Sequence, residues 1–368
     1  MRDARSQLIQ EDGHLSTLPR LTPNRPLLSV CIPTYNRSRV LEAALRALGP
    51  QIQATCGEVE LVVSDNCSTD ETQVVVEKAQ KKWGQLRYHR NETNLGVAGN
   101  ILKLTHELAT GEFGWVIGDD DIVLPNGVNR VLHVIKSHPE IDYIFVNTAT
   151  KLSSERETCE KRSYSPNLLD LSSTVGNGIR PDRNSIRCEE LLDPDIDHGF
   201  FGSVMCSVYR LSRFRQYRPS LMESAEIFPS LEKTYPTAVV LAHTTIGRPA
   251  YYIGTPCVIA FFGEQEWLDQ SALLVLVRLQ ELLDLYERSG VHVERVERCR
   301  RDLLLRNARS LQHMLFYPNT PGRAEFSIRK FLWRNRKHPW ALARVIVWVI
   351  LSSLLRRSLF KRIWLRAD

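Results

Sequence analysis

Three consecutive aspartates, Asp119, Asp120 and Asp121, offer the clearest chemistry in this chain of 368 residues. They follow an apolar run and Gly118, and a second apolar run closed by Pro125 comes after them. Adjacent carboxylates are costly to keep ionised unless a cation or several donors neutralise them. Such hard oxygen ligands suit Mg²⁺ or Mn²⁺, which keep waters and add phosphate oxygens from a substrate. The triplet therefore indicates either a metal–diphosphate site or an acidic turn before the next helix.

The residues around the triplet alternate between two hydrophobic periods. Short apolar runs predict strands, and each run is followed by a polar loop and a stretch with helical spacing. The predicted strands are residues 27–32, 59–63, 86–89 and 113–117, and the predicted helices are residues 40–48, 71–83 and 98–109. Such alternation predicts a parallel sheet covered by helices, with ligands at the carboxyl ends of its strands. Tyr35, Asp65 and the acid triplet all fall at those ends.

Four segments of this unit resemble the family 2 glycosyltransferases of the GT-A fold. In order they are SVCIPTYNRS (29–38), VVSDNCSTDET (62–72), RNETNLGVAGN (90–100) and GEFGWVIGDDDIVLP (111–125). Their wording is most similar to the abequosyltransferase-like branch of bacterial surface-polysaccharide enzymes. The resemblance implies an α/β fold with a GT-A Rossmann-like, mostly parallel sheet flanked by helices. A helical C-terminal extension is predicted by the leucine spacing after residue 266 and by residues 294–316.

The resemblance also implies a set of nucleotide-sugar-binding residues. They are Pro33, Thr34, Tyr35, Asp65, Asn94, Gly96 and Asp119. Tyr35 would present an aromatic face to the nucleobase, and Asp65 would accept a hydrogen bond from the ring N–H of the base. Structural roles stay open for the same residues: a core tyrosine for Tyr35, an Asx turn for Asp65 and a simple turn around Asn94.

Within the acid triplet, the resemblance implies that Asp119 faces the ribose and that Asp120 binds the divalent ion, Mn²⁺ or Mg²⁺. Asp121 would be a second metal ligand or a support of the loop. Such an ion stabilises the charge of the departing nucleoside diphosphate. Many family members carry an aspartate where this chain has Gly118, so it stays open which two of the three acids act.

An inverting transfer needs a general base beside the acceptor hydroxyl, and a carboxylate is the usual choice. The resemblance places this base downstream of residues 196–205, which are similar to the acceptor-side strand of the fold. We expect Glu226 to be the base, with Glu223 as the second candidate. His198 and His243 are further candidates for acceptor contacts, although a lone histidine beside apolar residues is more often structural.

Composition and domain order agree with a cytoplasmic enzyme. The chain is 43% hydrophobic and 24% charged, and its eight cysteines form no CxxC pair, which is typical of reduced thiols. Its first residues contain no apolar signal segment. The expected units are a leader (1–26), a GT-A domain (27–265) with a nucleotide-binding half (27–125) and an acceptor half (126–265), and a helical region (266–368).

The positive charge of the chain lies in its last residues. Residues 321–368 hold twelve Lys or Arg and two acidic residues, a net +10, whereas the whole chain is +6. Residues 340–355 are strongly apolar but shorter than the ~20 residues that span a bilayer, and they contain Arg344. We expect residues 340–366 to form an interfacial helix on an anionic membrane surface. A helix docked on the protein and a short tilted span stay open, whereas no nucleic-acid motif accompanies the charge.

The sequence thus predicts a metal-dependent inverting glycosyltransferase. It would move a sugar from a nucleotide-diphosphate donor to a hydroxyl of a lipid-linked O-antigen or other surface polysaccharide, at the cytoplasmic face of the inner membrane. Two alternatives stay open: a non-catalytic relative that binds sugar nucleotide, and a nucleotidyltransferase. The second normally has a glycine-rich basic loop after its first strand, and PTYNRS has no glycine.

Overall fold

The structure is a computed structural model that describes residues 25–157, 178–221, 228–263 and 268–364. Nine strands form one sheet. They are β1 Leu28–Thr34, β2 Val59–Asp65, β3 Leu86–Arg90, β4 Phe113–Val116, β5 Ile122–Val123, β6 Tyr143–Leu152, β7 Arg183–Arg187, β8 Ser207–Arg210 and β9 Pro249–Phe262.

Helices connect these strands and make up the C-terminal region. They are α1 Ser38–Gln53, α2 Thr72–Lys82, α3 Gly96–Lys103, α4 Gly127–Ser137, α5 Leu211–Phe214, α6 Leu231–Thr234, α7 Pro236–Thr244, α8 Ser271–Leu273, α9 Leu279–Arg288, α10 Val293–Arg306, α11 Ala308–Phe316, α12 Ile328–Arg334 and α13 Pro339–Trp364. The π-helical segments Leu104–Leu108 and Leu274–Arg278 continue α3 and α8.

The strands lie in the order β3-β2-β1-β4-β8-β6-β9-β5, and β7 pairs with β9. Six of them (β1, β2, β3, β4, β6 and β9) point in one direction, whereas β5, β7 and β8 point in the other. The predicted α/β fold with a mostly parallel sheet, flanking helices and a helical C-terminal extension is confirmed. The domain boundaries given above stay predictions.

Packing on both faces of the sheet explains why β1, β2 and β4 are nearly continuous apolar runs, whereas the edge strand β3 is partly exposed. Successive side chains of β1 point to opposite faces, so Val30 and Ile32 enter the core beneath α1 and α2, and Cys31 enters the core beneath α3. Leu41 and Leu45 of α1 recur at helical spacing and pack on the first of these cores. The sheet is therefore held rigidly from both sides behind its carboxyl edge.

The acceptor-side strand begins later than expected. Sequence similarity placed it at residues 196–205, but β8 begins at Ser207. The Asp197 carboxylate accepts the Gly199 and Phe201 N–H groups over 2.9 and 3.0 Å, which folds this stretch into a turn. The segment then runs antiparallel between β4 and β6, beside the acid triplet.

Helix α13 docks on the helical region, which is one of the alternatives left open by the sequence. Val345 and Val349 are buried where α13 packs against α10 and α11, and Gln312 donates to the hydroxyls of Ser352 and Ser353 over 2.9 and 2.8 Å. Within the described ranges, none of the helices combines the length and apolar character needed to cross a membrane.

Candidate nucleotide-sugar site

The loops that follow β1 and β2 are joined by hydrogen bonds at the carboxyl edge of the sheet. The Asn66 N–H donates to the Thr34 carbonyl oxygen over 2.9 Å, and the Asn36 N–H donates to the Ser68 hydroxyl over 2.8 Å. The Asn36 side-chain oxygen accepts the Thr69 N–H over 2.7 Å. Asn36 has a φ of 52°, a left-handed conformation that asparagine adopts more readily than most residues. These contacts fix the PTYNRS loop against the DNCSTD loop.

Asp65, the predicted partner of the nucleobase, is buried at the end of β2. One carboxylate oxygen accepts the Ser68 N–H over 2.8 Å, and the other accepts the Tyr88 hydroxyl over 2.7 Å. The Arg90 guanidinium lies 3.6 Å from the second oxygen. The turn that the sequence left open as a structural role is therefore present. Tyr35, in contrast, is 43% exposed at the same edge, so its ring is open to a planar ligand.

Four asparagine side chains join the ends of β2 and β3 to the start of α3. Asn66 Nδ2 donates to Asn94 Oδ1 over 2.7 Å. Asn91 Nδ2 lies 3.2 Å from Asn66 Oδ1 and 3.0 Å from Asn100 Oδ1. Asn94 Oδ1 also accepts the N–H of Gly96, whose φ is 71°, over 2.8 Å. Sequence reasoning identified Asn94 and Gly96 but missed the other three, although the asparagine-rich segment RNETNLGVAGN contains two of them.

Two members of the acid triplet, Asp119 and Asp120, bind the guanidinium of Arg37. Arg37 donates from Nη1 to Asp119 Oδ1 over 2.9 Å and from Nη2 to Asp120 Oδ2 over 2.7 Å. The second oxygen of Asp119 accepts the Thr34 hydroxyl over 2.8 Å. Burial raises the pKa of Asp119 to about 7, and the charge of Asp120 adds to this effect while Arg37 and Thr34 oppose it. The structure thus brings the predicted Thr34, Asp119 and Asp120 together.

Asp121 is turned back onto its own loop. Its Oδ2 accepts the Gly118 N–H over 3.0 Å, and its N–H donates to the Gly118 carbonyl oxygen over 3.1 Å. A Cβ atom on Gly118 would lie 2.8 Å from Asp121 Oδ2 and 2.9 Å from Asp120 Oδ1. Burial and the charge of Asp120 raise the pKa of Asp121. The glycine that departs from the common family pattern is therefore what allows the last two carboxylates to fold over the strand end.

The donor set fits a hard divalent cation. The carboxylate oxygens of Asp119 and Asp120 already point at one shared positive group, and two carboxylates plus substrate phosphates are a typical Mg²⁺ ligand set. Across the described ranges there is no cluster of three His, Cys, Asp or Glu side chains that could hold a metal. The described side chains alone therefore do not complete the coordination shell of such an ion.

The candidate bases Glu226 and Glu223 lie outside the described residues. Both histidine candidates for acceptor contacts have structural partners. His198 Nδ1 lies 3.3 Å from a carboxylate oxygen of Asp302, and the His243 ring stacks on Tyr217 with centroids 3.9 Å apart. These contacts are compatible with the structural alternative, and a role of either histidine in acceptor contacts stays a prediction.

Two arginines beside the acids were missed by sequence reasoning. Arg37 lies within PTYNRS but has no feature that distinguishes it from a surface arginine before a helix. Arg156 donates from Nη1 to the Asp120 carbonyl oxygen over 2.7 Å, and its guanidinium carbon lies 4.1 Å from the centre of the Phe261 ring. Its separation from Asp120 by 36 residues leaves no local sequence signal.

Comparison with known proteins agrees with this geometry. Residues 29–211 match the family model described as glycosyl transferase family 2. The chain is 33% identical to the abequosyltransferase RfbV of Salmonella typhimurium over 243 residues, which cover 63% of this chain and 66% of that protein. It is 32% identical to the GalNAc(5)-diNAcBac-PP-undecaprenol beta-1,3-glucosyltransferase of Campylobacter jejuni over 151 residues, which cover 41% of this chain and 46% of that one.

The fold has a counterpart among solved structures. The crystal structure of Staphylococcus aureus TarS 1-349 superposes with a TM-score of 0.53 at 17% identity, covering 79% of this chain and 75% of the other. The matches to the two curated relatives named above cover 66% and 46% of those proteins, so the chain spans less than two-thirds of the length of each. From its four ordered motifs, its sheet and these matches, the chain belongs to the family 2 glycosyltransferases.

Proposed function

We propose that the chain transfers a sugar from a nucleotide-diphosphate donor to a hydroxyl of a surface polysaccharide or lipid-linked glycan. The observation that carries this proposal is that the Asp119 and Asp120 carboxylates both bind the Arg37 guanidinium, a single positive group at the carboxyl edge of the sheet. Ligands of open α/β sheets bind at this edge. The names of the two relatives, an abequosyltransferase and an undecaprenol-linked glucosyltransferase, support the reaction class and the acceptor class.

The donor would lie along the joined loops. The exposed Tyr35 ring, beside Pro33, would stack on the nucleobase. Asp65 would accept the ring N–H of the base by giving up the Tyr88 hydroxyl, which is its only hydrogen-bond donor from another strand among the described contacts. Asn94 and Gly96 would support the nucleotide sugar from the start of α3. The ribose would bind Asp119.

Asp120 would hold the divalent ion, Mn²⁺ or Mg²⁺, together with an oxygen of Asp119 or Asp121. When bound, such an ion neutralises charge on the departing nucleoside diphosphate. The protein contributes rigid positions for these acids, because Thr34 fixes Asp119 and Arg156 fixes the Asp120 backbone. A site held this firmly needs little rearrangement during the reaction.

The transfer would proceed with inversion at the anomeric carbon. Glu226, or Glu223 as the second candidate, would take the proton of the acceptor hydroxyl as its oxygen attacks the sugar. The bond to the diphosphate breaks on the opposite face, and the electron pair leaves with the phosphate. A carboxylate suits this role because glutamate with its ordinary pKa of about 4.3 is ionised at neutral pH and can accept a proton.

The acceptor would reach the site from a membrane surface. Helix α13 buries Val345 and Val349 but exposes large apolar side chains on its other face: Trp340, Val347, Trp348, Ile350, Leu351 and Leu354. A helix that is apolar on both sides needs a second apolar environment. Residues 321–368 carry a net +10, so the like charges of a second copy are a poor match and anionic lipid is a good one. We place this attachment at the cytoplasmic face of the inner membrane.

Titration calorimetry tests the donor site directly. Full-length protein would be titrated with nucleoside diphosphates and nucleotide sugars in Mn²⁺, in Mg²⁺ and in chelator. We expect one nucleotide to bind in a metal-dependent way, and Asp120→Asn to weaken that binding at least about tenfold, as expected for the loss of one charged ligand. Glu42→Gln is the matched control, because Glu42 is an exposed carboxylate of α1 that pairs only with Arg46 among the described contacts.

The unfolding temperature without ligand should be unchanged in Asp120→Asn. Sugar transfer to an isolated lipid-linked or polysaccharide acceptor, followed with the nucleotide sugar of that base, then tests the reaction. If no nucleotide binds wild-type protein with either metal, the donor-site proposal is wrong. Binding without any transfer or hydrolysis would instead support the non-catalytic alternative.

A further inference from the structure

Arg37 occupies the position where the acid pair meets its positive charge. Its guanidinium reaches Asp119 Oδ1 at 2.9 Å and Asp120 Oδ2 at 2.7 Å, and its side chain is 41% exposed. Hydrogen bonds of this kind, between a forked guanidinium and carboxylates, are strong and directional. The acids are therefore neutralised by a residue of the chain itself.

The backbone on both sides of Arg37 is anchored. Asn36 is held by Ser68 and Thr69, and the Ser38 N–H donates to Asp70 Oδ2 over 2.9 Å at the start of α1. The side chain, in contrast, is 41% exposed. Arg37 can therefore exchange the partners of its guanidinium by side-chain rotation, without moving the loop or the helix.

The following inference rests on the metal site of the proposed function. We propose that Arg37 is a resident counter-cation of the acid pair: it binds Asp119 Oδ1 and Asp120 Oδ2, which would otherwise be open to the divalent ion, and its guanidinium would move onto the donor diphosphate when metal and donor bind together. A guanidinium and a divalent ion cannot share these oxygens, because their charges repel at this distance. Phosphate oxygens offer the guanidinium the same bidentate partner that the two carboxylates offer.

Two opposite effects follow for Arg37→Met. Mn²⁺ alone should bind the variant more tightly, by about tenfold if the open state is about a tenth of the population, because the competitor has been removed. In the variant, the affinity for the Mn²⁺–nucleoside diphosphate complex divided by the affinity for Mn²⁺ alone should be about tenfold lower than in wild type, because the contact of Arg37 with the diphosphate is lost. Removing any nearby positive charge could also strengthen Mn²⁺ binding and weaken nucleotide binding. This general electrostatic effect would be the same in every variant that loses a nearby arginine, whereas the proposed competition is specific to Arg37.

Arg39→Met provides the matched control for that general effect. Arg39 lies two residues away on α1, is exposed, and has no described ion pair. Mn²⁺ affinity would be measured by titration calorimetry and by the electron paramagnetic resonance signal of free Mn²⁺, with each full-length variant, with and without the nucleoside diphosphate that binds wild type. Arg37→Lys, which keeps a charge but not the fork, should lie between wild type and Arg37→Met.

The unfolding temperature gives a readout that does not depend on activity. In chelator, Arg37→Met should unfold at a lower temperature than wild type and Arg39→Met, since two adjacent carboxylates lose their counter-charge. Added Mn²⁺ should remove this difference, because it supplies the missing positive charge. Equal Mn²⁺ affinities for Arg37→Met and Arg39→Met would overturn this inference while leaving the donor site intact. The proposed function fails separately, if wild type binds no nucleotide with any metal.

Discussion

The acid triplet depends on a glycine as much as on its carboxylates. A Cβ atom on residue 118 would lie only 2.9 Å from Asp120 Oδ1 and 2.8 Å from Asp121 Oδ2, which is closer than normal contact distance. Alanine or aspartate at Gly118 would displace both groups. Gly118 therefore leaves the space in which these two carboxylates fold over the strand end.

Residues at strand ends were the ones that sequence reasoning could group. Thr34, Asp119 and Asp120 were predicted at the carboxyl ends of parallel strands, and the structure brings them together because these ends meet at one edge of the sheet. Their roles in binding stay predictions. Arg37 and Asn100 were missed because neither lies at a strand end: Arg37 directly precedes α1 and Asn100 lies within α3, and their partners Asp119 and Ser64 are 82 and 36 residues away. No periodicity encodes such pairs.

Single substitutions of the two candidate glutamates can identify the general base. Glu226→Gln should lower transfer about 10²–10⁴-fold, because the acceptor loses its proton acceptor, while metal-dependent nucleotide binding stays at the wild-type value. Glu223→Gln should lower transfer less than about tenfold. Transfer rates at saturating donor and calorimetric affinities for the nucleotide would be measured for both variants. A fully active Glu226→Gln variant with an inactive Glu223→Gln variant would reverse the assignment.

At the scale of elements, a buried carboxylate ties the first three strands to the entry of β4. Glu60 of β2 accepts the Ser29 hydroxyl of β1 over 2.5 Å, the Thr110 N–H over 2.6 Å and the Arg87 guanidinium of β3 over 2.7 Å. Glu60 is only 7% exposed. Burial raises the pKa of Glu60, but these hydrogen bonds outweigh burial and leave the pKa lowered.

Replacing this carboxylate should destabilise the nucleotide-binding half in a pH-dependent way. Glu60→Gln should lower the free energy of unfolding by about 1–3 kcal/mol at pH 7, since buried donors lose a charged acceptor. A lowered folded-state pKa stabilises the protein above the ordinary value of 4.5, and this contribution is lost as the pH falls through the folded-state pKa. The gap between wild type and Glu60→Gln should therefore shrink below pH 4.5.

Urea unfolding at several pH values measures that gap. Glu58→Gln is the control, because Glu58 precedes β2 and forms an exposed ion pair with Lys136, for which an effect of at most about 1 kcal/mol is expected. A pH-independent gap for Glu60→Gln would show that lost packing, and not the charge, accounts for the effect.

The elements differ in how far the sequence predicts them. Strands β1, β2 and β4 and helices α1 to α3 follow from clear apolar periods, since these strands are buried on both faces and each helix on one. The edge strand β3 gives a weaker signal, because only Leu86 of its five residues is buried. The place of β8 does not follow in the same way. Its four residues pair antiparallel with β4 and β6, more than sixty residues earlier in the chain, and the Asp197 turn decides where it begins.

For the whole molecule, the main question is what covers the exposed face of α13. Trp340 is 89% exposed, and Val347, Leu351 and Leu354 are each more than half exposed. At 1.5 Å per residue, the stretch from 340 to 354 presents an apolar stripe about 20 Å long. Val345 and Val349 hold the opposite side to the protein. The helix is thus fixed in orientation, with its apolar stripe directed away from the fold.

Vesicle binding tests whether lipid is the partner of this stripe. Full-length protein should co-sediment with vesicles that contain anionic phospholipid, bind neutral vesicles less, and be released by high salt, because basic residues contribute about 1 kcal/mol each near an anionic surface. Trp348→Ser combined with Leu351→Ser should weaken binding at least tenfold, given about 1.5–3 kcal/mol for each large apolar side chain that enters the interface.

Val74→Ser, at an exposed apolar position of α2, serves as the control and should bind as wild type does. The side chains changed in the double variant are exposed, so its unfolding temperature should match that of wild type. Sedimentation equilibrium without vesicles completes the test. A stable dimer that the same two substitutions dissociate, together with no binding to anionic vesicles, would make a second copy the partner of α13 and overturn membrane attachment, since one face cannot be buried twice.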